Sequence, residues 1–248
     1  RSKGVKPIIG AEVYISDLPF EFAAGSKVLL LVQNNQGYLN LSEILARAWT
    51  QNAGKTVAAV KWQWLKELNE GLILLSGAQN GPIGQALMQS DEHKARETAM
   101  LMAAVFPHRF YLELQRAGRP EDEAHVGLAV QLASRLQLPV VATHPVQFLT
   151  PEAYDAHEAR VCISEGEILA NPKRIRKFTR EQYFKSQAEM QALFADIPSA
   201  LANTQEIAKR CNLSLVLGKP QLPHFPIPLV DGKTMTPEEY FRYESQIG

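Results

Sequence analysis

The sequence predicts an α/β fold whose sheet is mostly parallel and whose strands close into a barrel. Three observations predict it. Runs rich in β-branched and aliphatic residues alternate with stretches of helical periodicity. Cap and turn residues stand between them where strand-to-helix connections need them. The length of 248 residues, 46% of them hydrophobic, suits one barrel or two smaller domains.

Taken in order, Pro7–Ile15 and Lys27–Val32 read as strands, joined by a polar or flexible connector around Phe22–Ser26. Tyr38–Gln51 follows as a helix, with Leu41, Ile44, Leu45, Ala48 and Trp49 at helical spacing. A short helix near Lys61–Asn69 ends at Gly71, a residue suited to a helix C-terminus. Leu72–Leu75 is a brief apolar strand running into the turn Ser76-Gly77-Ala78, and Ser90 reads as the N-cap of a helix reaching Phe106. Arg109–Gln115 is the next strand. Pro120-Glu121-Asp122-Glu123 then forms an acidic first turn, with proline at its start, of a helix ending near Leu136. Pro139–Thr143 is a further strand, and Thr150-Pro151-Glu152 opens another helix. Beyond an irregular stretch, Gly166–Thr179, Ser186-Gln187-Ala188-Glu189 has the form of a capping box. A helix over Ser199–Cys211 and a last strand, Leu213–Leu217, complete the pattern. Strands separated by helices argue for parallel pairing with right-handed crossovers. The six strand candidates show no obvious edge strand, which favours a barrel.

Composition narrows the function. Lys and Arg number 26, Asp and Glu 26, so no global field draws the chain to nucleic acid or to a membrane. The longest clean apolar runs, Val28–Val32 and Ala99–Phe106, fall far short of the roughly 20 residues that span a bilayer. The first residues do not form a secretory signal. Two cysteines, Cys162 and Cys211, are too few for a disulfide framework or a cysteine zinc site and read as small buried residues, which fits a reducing cytoplasm. Both ends read as cut. Gly4 resembles a helix terminus, Gly218–Asp231 is a proline- and glycine-rich linker, and Thr236-Pro237-Glu238-Glu239 starts a helix that stops at Gly248. The expectation is a piece of a larger protein.

In a parallel barrel the chemistry sits at the C-terminal ends of the strands. That rule selects Glu12, Ser76–Ala78, Glu113–Ala117 and Thr143–Gln147. The possible metal ligands there are few: Glu12, Glu113 and His144. Asp155 and His157 are two apart on a helix, so they diverge and act as caps or packing contacts. Trp62 and Trp64 read as one core and one surface residue. The basic stretch Lys173, Arg174, Arg176, Lys177 and Arg180 is the strongest local charge feature, either a solvated loop or a contact for DNA or an acidic partner.

A resemblance then emerges from Pro7-Ile8-Ile9-Gly10-Ala11-Glu12-Val13-Tyr14, Leu75-Ser76-Gly77, Phe110-Tyr111-Leu112-Glu113-Leu114-Gln115 and Val140-Val141-Ala142-Thr143. It continues in Asp155-Ala156-His157-Glu158, Asn171-Pro172-Lys173-Arg174 and Ile207-Ala208-Lys209-Arg210-Cys211-Asn212. In this order the motifs resemble the polymerase and histidinol phosphatase (PHP) domain of bacterial replicative DNA polymerase III alpha subunits, of the proteobacterial type. The resemblance implies a distorted seven-stranded α/β barrel, here lacking its N-terminal strand, over residues 1–217. Residues 218–248 are then a Pro-rich linker and the start of the palm domain. It implies a parent polymerase in chromosomal replication whose palm holds Mg2+, with DNA, the sliding clamp and a proofreading exonuclease subunit as partners, and no membrane.

Members with a functional metal centre carry a His-x-His pair on the first strand. The family glutamate matches Glu12, but Ala78 and Ala117 stand at two ligand positions, and His144-Pro145-Val146-Gln147 replaces an Asn-Asp-x-His pattern. The resemblance therefore implies a degenerate site, with Glu12 and His144 as vestigial ligands, no catalytic residue and no cofactor in this chain. The domain itself is then a non-catalytic scaffold. The alternative is an active metal-dependent phosphoesterase of the same superfamily, whose nucleophile would be a metal-activated water.

Overall fold

The computed structural model describes residues 4–20, 25–54, 57–220, 225–230 and 232–248. Arg1-Ser2-Lys3, much of the connector near Phe22 and part of the Gly218–Asp231 linker lie outside the described residues. The chain divides into two compact units, Arg1–Ser214 and Leu215–Gly248.

The first unit contains β1 (Gly10–Ser16), β2 (Lys27–Val32), α1 (Asn35–Gln51), β3 (Ala59–Lys61), α2 (Trp62–Glu67) and β4 (Leu72–Leu75). It continues with α3 (Pro82–Met88), α4 (Glu92–Val105), β5 (Phe110–Gln115), α5 (Asp122–Leu136), β6 (Val140–Thr143), α6 (Tyr154–Glu165), α7 (Gln187–Leu193) and α8 (Pro198–Arg210). The six strands form a mixed sheet in the order β3-β1-β2-β4-β5-β6. Pairing is parallel for β1–β3, β4–β5 and β5–β6, and antiparallel for β1–β2 and β2–β4. The sheet is thus less parallel than the sequence suggested. The segment between Ser16 and Lys27 is shorter than the dozen or more residues a parallel crossover needs, so β2 returns beside β1 in the opposite sense.

Strand periodicity sorts the core. Leu72 and Leu74 of β4 join Val28, Leu30, Phe110, Leu112 and Leu114 on one face, against α1, α3, α4 and α5. Ile73 and Leu75 point the other way, to Tyr111, Val141, Ile207 and Cys211. Both faces are covered, which is why β4 is an unbroken apolar run. Phe106, Phe110, Leu65 and Met102 are fully buried or nearly so, each stabilising the fold by about 1.5–3 kcal/mol. Where α1 meets the turn before β4 the backbones touch: a Cβ on Gly37 would lie 1.9 Å from the Gly71 carbonyl oxygen, so a side chain is excluded there.

Several local expectations are corrected. Leu213–Leu217 is not a strand: Leu213 is buried, but Leu215, Val216 and Leu217 are exposed on irregular chain. The N-cap of α4 is Asp91, whose side chain accepts from Lys94 N, while Ser90 is left-handed with φ 60°. α5 begins at Asp122, after Pro120, because the Asp122 carboxylate turns back to accept from Ala117 N and Arg119 N. Trp62 and Trp64 are both buried, since a helix as short as α2 packs both against the core. The second unit holds α9 (Pro237–Ile247), opened by a capping box between Thr236 and Glu239, with Phe225 stacked on Tyr240 at 5.9 Å.

Candidate functional site

The strand ends converge on a cleft of about 200 Å³ lined by Glu12, Lys27, Gly77, Asn80, Glu113, Gln115, Arg119, Pro145, Gln147, Phe178 and Gln182, with Val28 and Leu29. β1, β4, β5 and β6 run in one direction, so Glu12, Gly77, Glu113 and the chain after Thr143 arrive together. β2 runs the other way and brings its first residue, Lys27, to the same place. A rule that inspects only the C-terminal ends of strands passes over Lys27, and the sequence signal for it is the short β1–β2 connection.

Glu113 is the centre of the cleft. Its side chain is buried, and among the described residues the hydrogen bonds it receives come from neutral donors. Oε1 accepts from the Thr143 hydroxyl and from Gln115 Nε2 at 3.0 Å, and Oε2 accepts from Gly77 N at 3.1 Å. Its own backbone N–H donates to Ser76 Oγ at 2.9 Å, and Gln115 Nε2 also reaches Thr143 Oγ1 at 3.1 Å. Burial pushes the Glu113 carboxyl above the ordinary carboxylate value, against the opposing effect of those donors. Gly77 makes the arrangement possible: it is left-handed, with φ 80°, and a Cβ there would lie 1.9 Å from the Lys27 carbonyl oxygen.

Glu12 does not join this network. It accepts a hydrogen bond from Lys27 Nζ at 2.6 Å in a largely exposed ion pair, and that bond holds the Lys27 ammonium above the usual lysine value. His144 is half-buried beside the cleft, with Nε2 donating to the Glu181 carbonyl at 2.8 Å and burial lowering its pKa. Its Nδ1 is buried without a hydrogen-bond partner. Ala78 and Ala117 are buried and offer no donor atom to a cation. Gln182, missed in the sequence, closes the wall: its amide accepts from Thr179 N and donates to the Pro145 carbonyl. Among the described residues no three His, Cys, Asp or Glu side chains form a group that could hold a metal ion.

The side chains of the basic stretch do not line the cleft and are largely engaged with α6. Arg174 is withdrawn from the surface, its side chain 4% exposed, and pairs through Nη2 with the equally buried Glu158. Lys177 pairs with Glu165 at 2.7 Å, and Arg180 pairs with Asp155 at 3.0 Å while its guanidinium lies 4.4 Å from the Tyr154 ring centre. Lys173 and Arg176 are exposed. Asp155 and His157 diverge: His157 packs edge-on against Phe178 at 4.7 Å and accepts from Arg160 Nη2 at 2.9 Å through Nδ1. Cys162 and Cys211 are buried.

A mixed sheet with helices on its faces and a polar cleft at its strand ends is consistent with a PHP-type α/β domain, and the PHP domain family model matches residues 1–117. The match covers a little under half of the chain. Over nearly its whole length the chain is similar to DNA polymerase III subunit alpha: 46% identical over 239 residues to that of Pseudomonas fluorescens, covering 96% of this chain and 20% of the relative. The subunit of Escherichia coli K12 is 44% identical over 224 residues, covering 90% of this chain and 19% of the relative. That of Neisseria meningitidis serogroup A is 48% identical over 236 residues, covering 92% and 20%. The chain therefore spans about a fifth of the length of the curated relatives it matches. No helix among the described residues is long and apolar enough to cross a membrane.

Proposed function

We propose that this chain serves as a non-catalytic PHP scaffold within a replicative DNA polymerase III alpha subunit. In this reading its strands belong to the family's distorted seven-stranded barrel. It supports a polymerase that extends primer 3′ ends with Mg2+ held in a separate palm, and it offers a surface to the proofreading exonuclease subunit. DNA and the sliding clamp are then met through the parent protein. The single observation that carries the reading is the engagement of Glu113, whose two oxygens already accept hydrogen bonds from Thr143, Gln115 and Gly77. Around it Glu12 is paired with Lys27, Ala78 and Ala117 offer no donor atom, and His144 contributes at most its Nδ1. A metal centre needs about four open donors with partners behind them, and these residues do not fit one.

The test is elemental analysis and phosphatase assay of the full-length protein, purified without chelator. The expected result is no stoichiometric zinc or manganese and no phosphate-ester turnover. Tightly bound metal together with turnover would establish the phosphoesterase reading instead. Docking is tested separately by calorimetric titration of the exonuclease subunit onto the full-length protein with and without its PHP region. Loss of binding is expected, and unchanged affinity removes the docking role.

A further inference from the structure

A second concavity, sharing no residue with the cleft, lies between α3, α4 and α5. Its apolar wall is made of leucines: Leu87 from α3 and Leu128, Leu132 and Leu136 from α5. The three α5 positions are spaced four apart and share one helix face. Leu87 and Leu132 are buried, whereas Leu128 and Leu136 are only partly covered. The groove encloses about 160 Å³, close to the roughly 150 Å³ of an apolar cavity that admits benzene. One leucyl or phenylalanyl side chain fits it.

The rim carries charge of mostly one sign. Arg96 and Arg135 stand on it with side chains 58% and 62% exposed, and Glu92 is the only carboxylate in the lining. Arg135 reaches Glu92 at 2.9 Å, and Arg96 comes no nearer than 4.0 Å to Glu97. Exposed pairs of this kind hold their partners weakly, so both guanidiniums are free to exchange onto an arriving carboxylate, which a planar fork binds bidentately. A polyphosphate backbone is a poorer match, because it has no bulky apolar side chain to fill the leucine-lined groove and the chain has no excess of basic residues. We propose that this groove binds an acidic peptide segment of a partner protein, with one bulky apolar side chain inserted among the leucines and flanking carboxylates on Arg96 and Arg135. The inference is independent of the scaffold reading, since metal at the cleft would leave this groove unchanged.

Fluorescence anisotropy on the full-length protein with a labelled Asp-Asp-Leu-Asp-Phe peptide tests it. Saturable binding is expected, weakened by roughly tenfold or more in the Arg96→Glu, Arg135→Glu double variant. Both arginines are exposed, so the variant is expected to fold, and a melting curve matching the parent verifies that. The peptide Asn-Asn-Leu-Asn-Asn, lacking all three side-chain carboxylates and the aromatic group, is expected to bind at least as weakly as the double variant binds the acidic probe. Absent saturation, equal affinity in the double variant, or equal binding of the neutral peptide would overturn the proposal. So would complete displacement of the probe by an oligonucleotide that the double variant still binds.

Discussion

Glu113 in the cleft and Glu158 on α6 are both buried carboxylates, 4% and 2% exposed, and the molecule accommodates them in opposite ways. Glu113 is surrounded by neutral donors and receives no ion pair among the described residues, so its charge is opposed by burial. Glu158 is matched by a full charge, Arg174, but the pair leaves Glu158 Oε1 and Arg174 Nε and Nη1 without partners. The difference teaches that a buried carboxylate tells little about chemistry until its partners are known. The cleft tolerates loss of charge because hydrogen bonds carry its geometry. The α6 region does not, because each ion makes the other's burial bearable. The basic stretch thereby acts in part as a fastening between the irregular segment and α6.

The largest effect is expected there. Arg174→Ala strands the Glu158 carboxylate and should lower stability in urea denaturation by clearly more than Arg180→Ala does. Replacing both partners, Arg174→Met with Glu158→Leu, should recover much of that loss. Arg180→Ala, which breaks only an exposed pair and a ring contact, should stay within about 1 kcal/mol. If Arg174→Ala and Arg180→Ala cost the same, the contrast between the two carboxylates collapses.

Next in size is Glu113→Ala, which leaves three donors facing an empty site and should cost about 1–3 kcal/mol. Glu113→Gln keeps one carbonyl acceptor and removes the charge that burial disfavours but turns its NH2 toward a donor, so it should cost less than Glu113→Ala. Linkage gives the sign of the pH effect. The folded carboxyl has a pKa raised above the 4.5 of an ordinary glutamate, so the folded state binds the proton more tightly than the unfolded chain. Its contribution to stability is full below 4.5 and is lost as pH rises from 4.5 through the raised folded value. Glu113→Gln should remove that decline from a pH series of melts, and an unaltered decline would assign it to another group.

How much of this was legible in the chain depends on how local the cause is. Lys27–Val32 and Leu72–Leu75 match β2 and β4 residue for residue, because short apolar runs bounded by turn residues have few alternatives. The capping box at Ser186 is written within four residues and forms as read, and Thr236, read only as a helix start, opens a second one. β3 passed unnoticed, since three residues become a strand only by pairing with Tyr14–Ser16. α3 was hidden by the glycine and proline at its start, although Pro82 belongs at the first turn of a helix. At the cleft, Glu12 and Glu113 followed from strand direction, whereas Lys27 required the antiparallel course of β2. The burial of Arg174 depends on a carboxylate 16 residues earlier in the chain, a distance over which charge patterning is silent.

The smallest expected effect concerns Glu12 and Lys27, the one ion pair lining the cleft among the described residues. Their side chains are 62% and 32% exposed, so water screens them. Lys27→Met preserves the aliphatic stem near Tyr14 while deleting the ammonium, which isolates the charge from the packing. Its cost, and that of Glu12→Gln, should fall between about 0 and 1 kcal/mol at low salt and shrink further as salt is added. A double-mutant cycle at two salt concentrations measures the coupling directly. A coupling above about 2 kcal/mol that salt does not reduce would mean the pair is dry, and the cleft would then rest on matched charge as the Glu158 site does. A small, screened coupling instead leaves the neutral bonds around Glu113 as what holds the strand ends together.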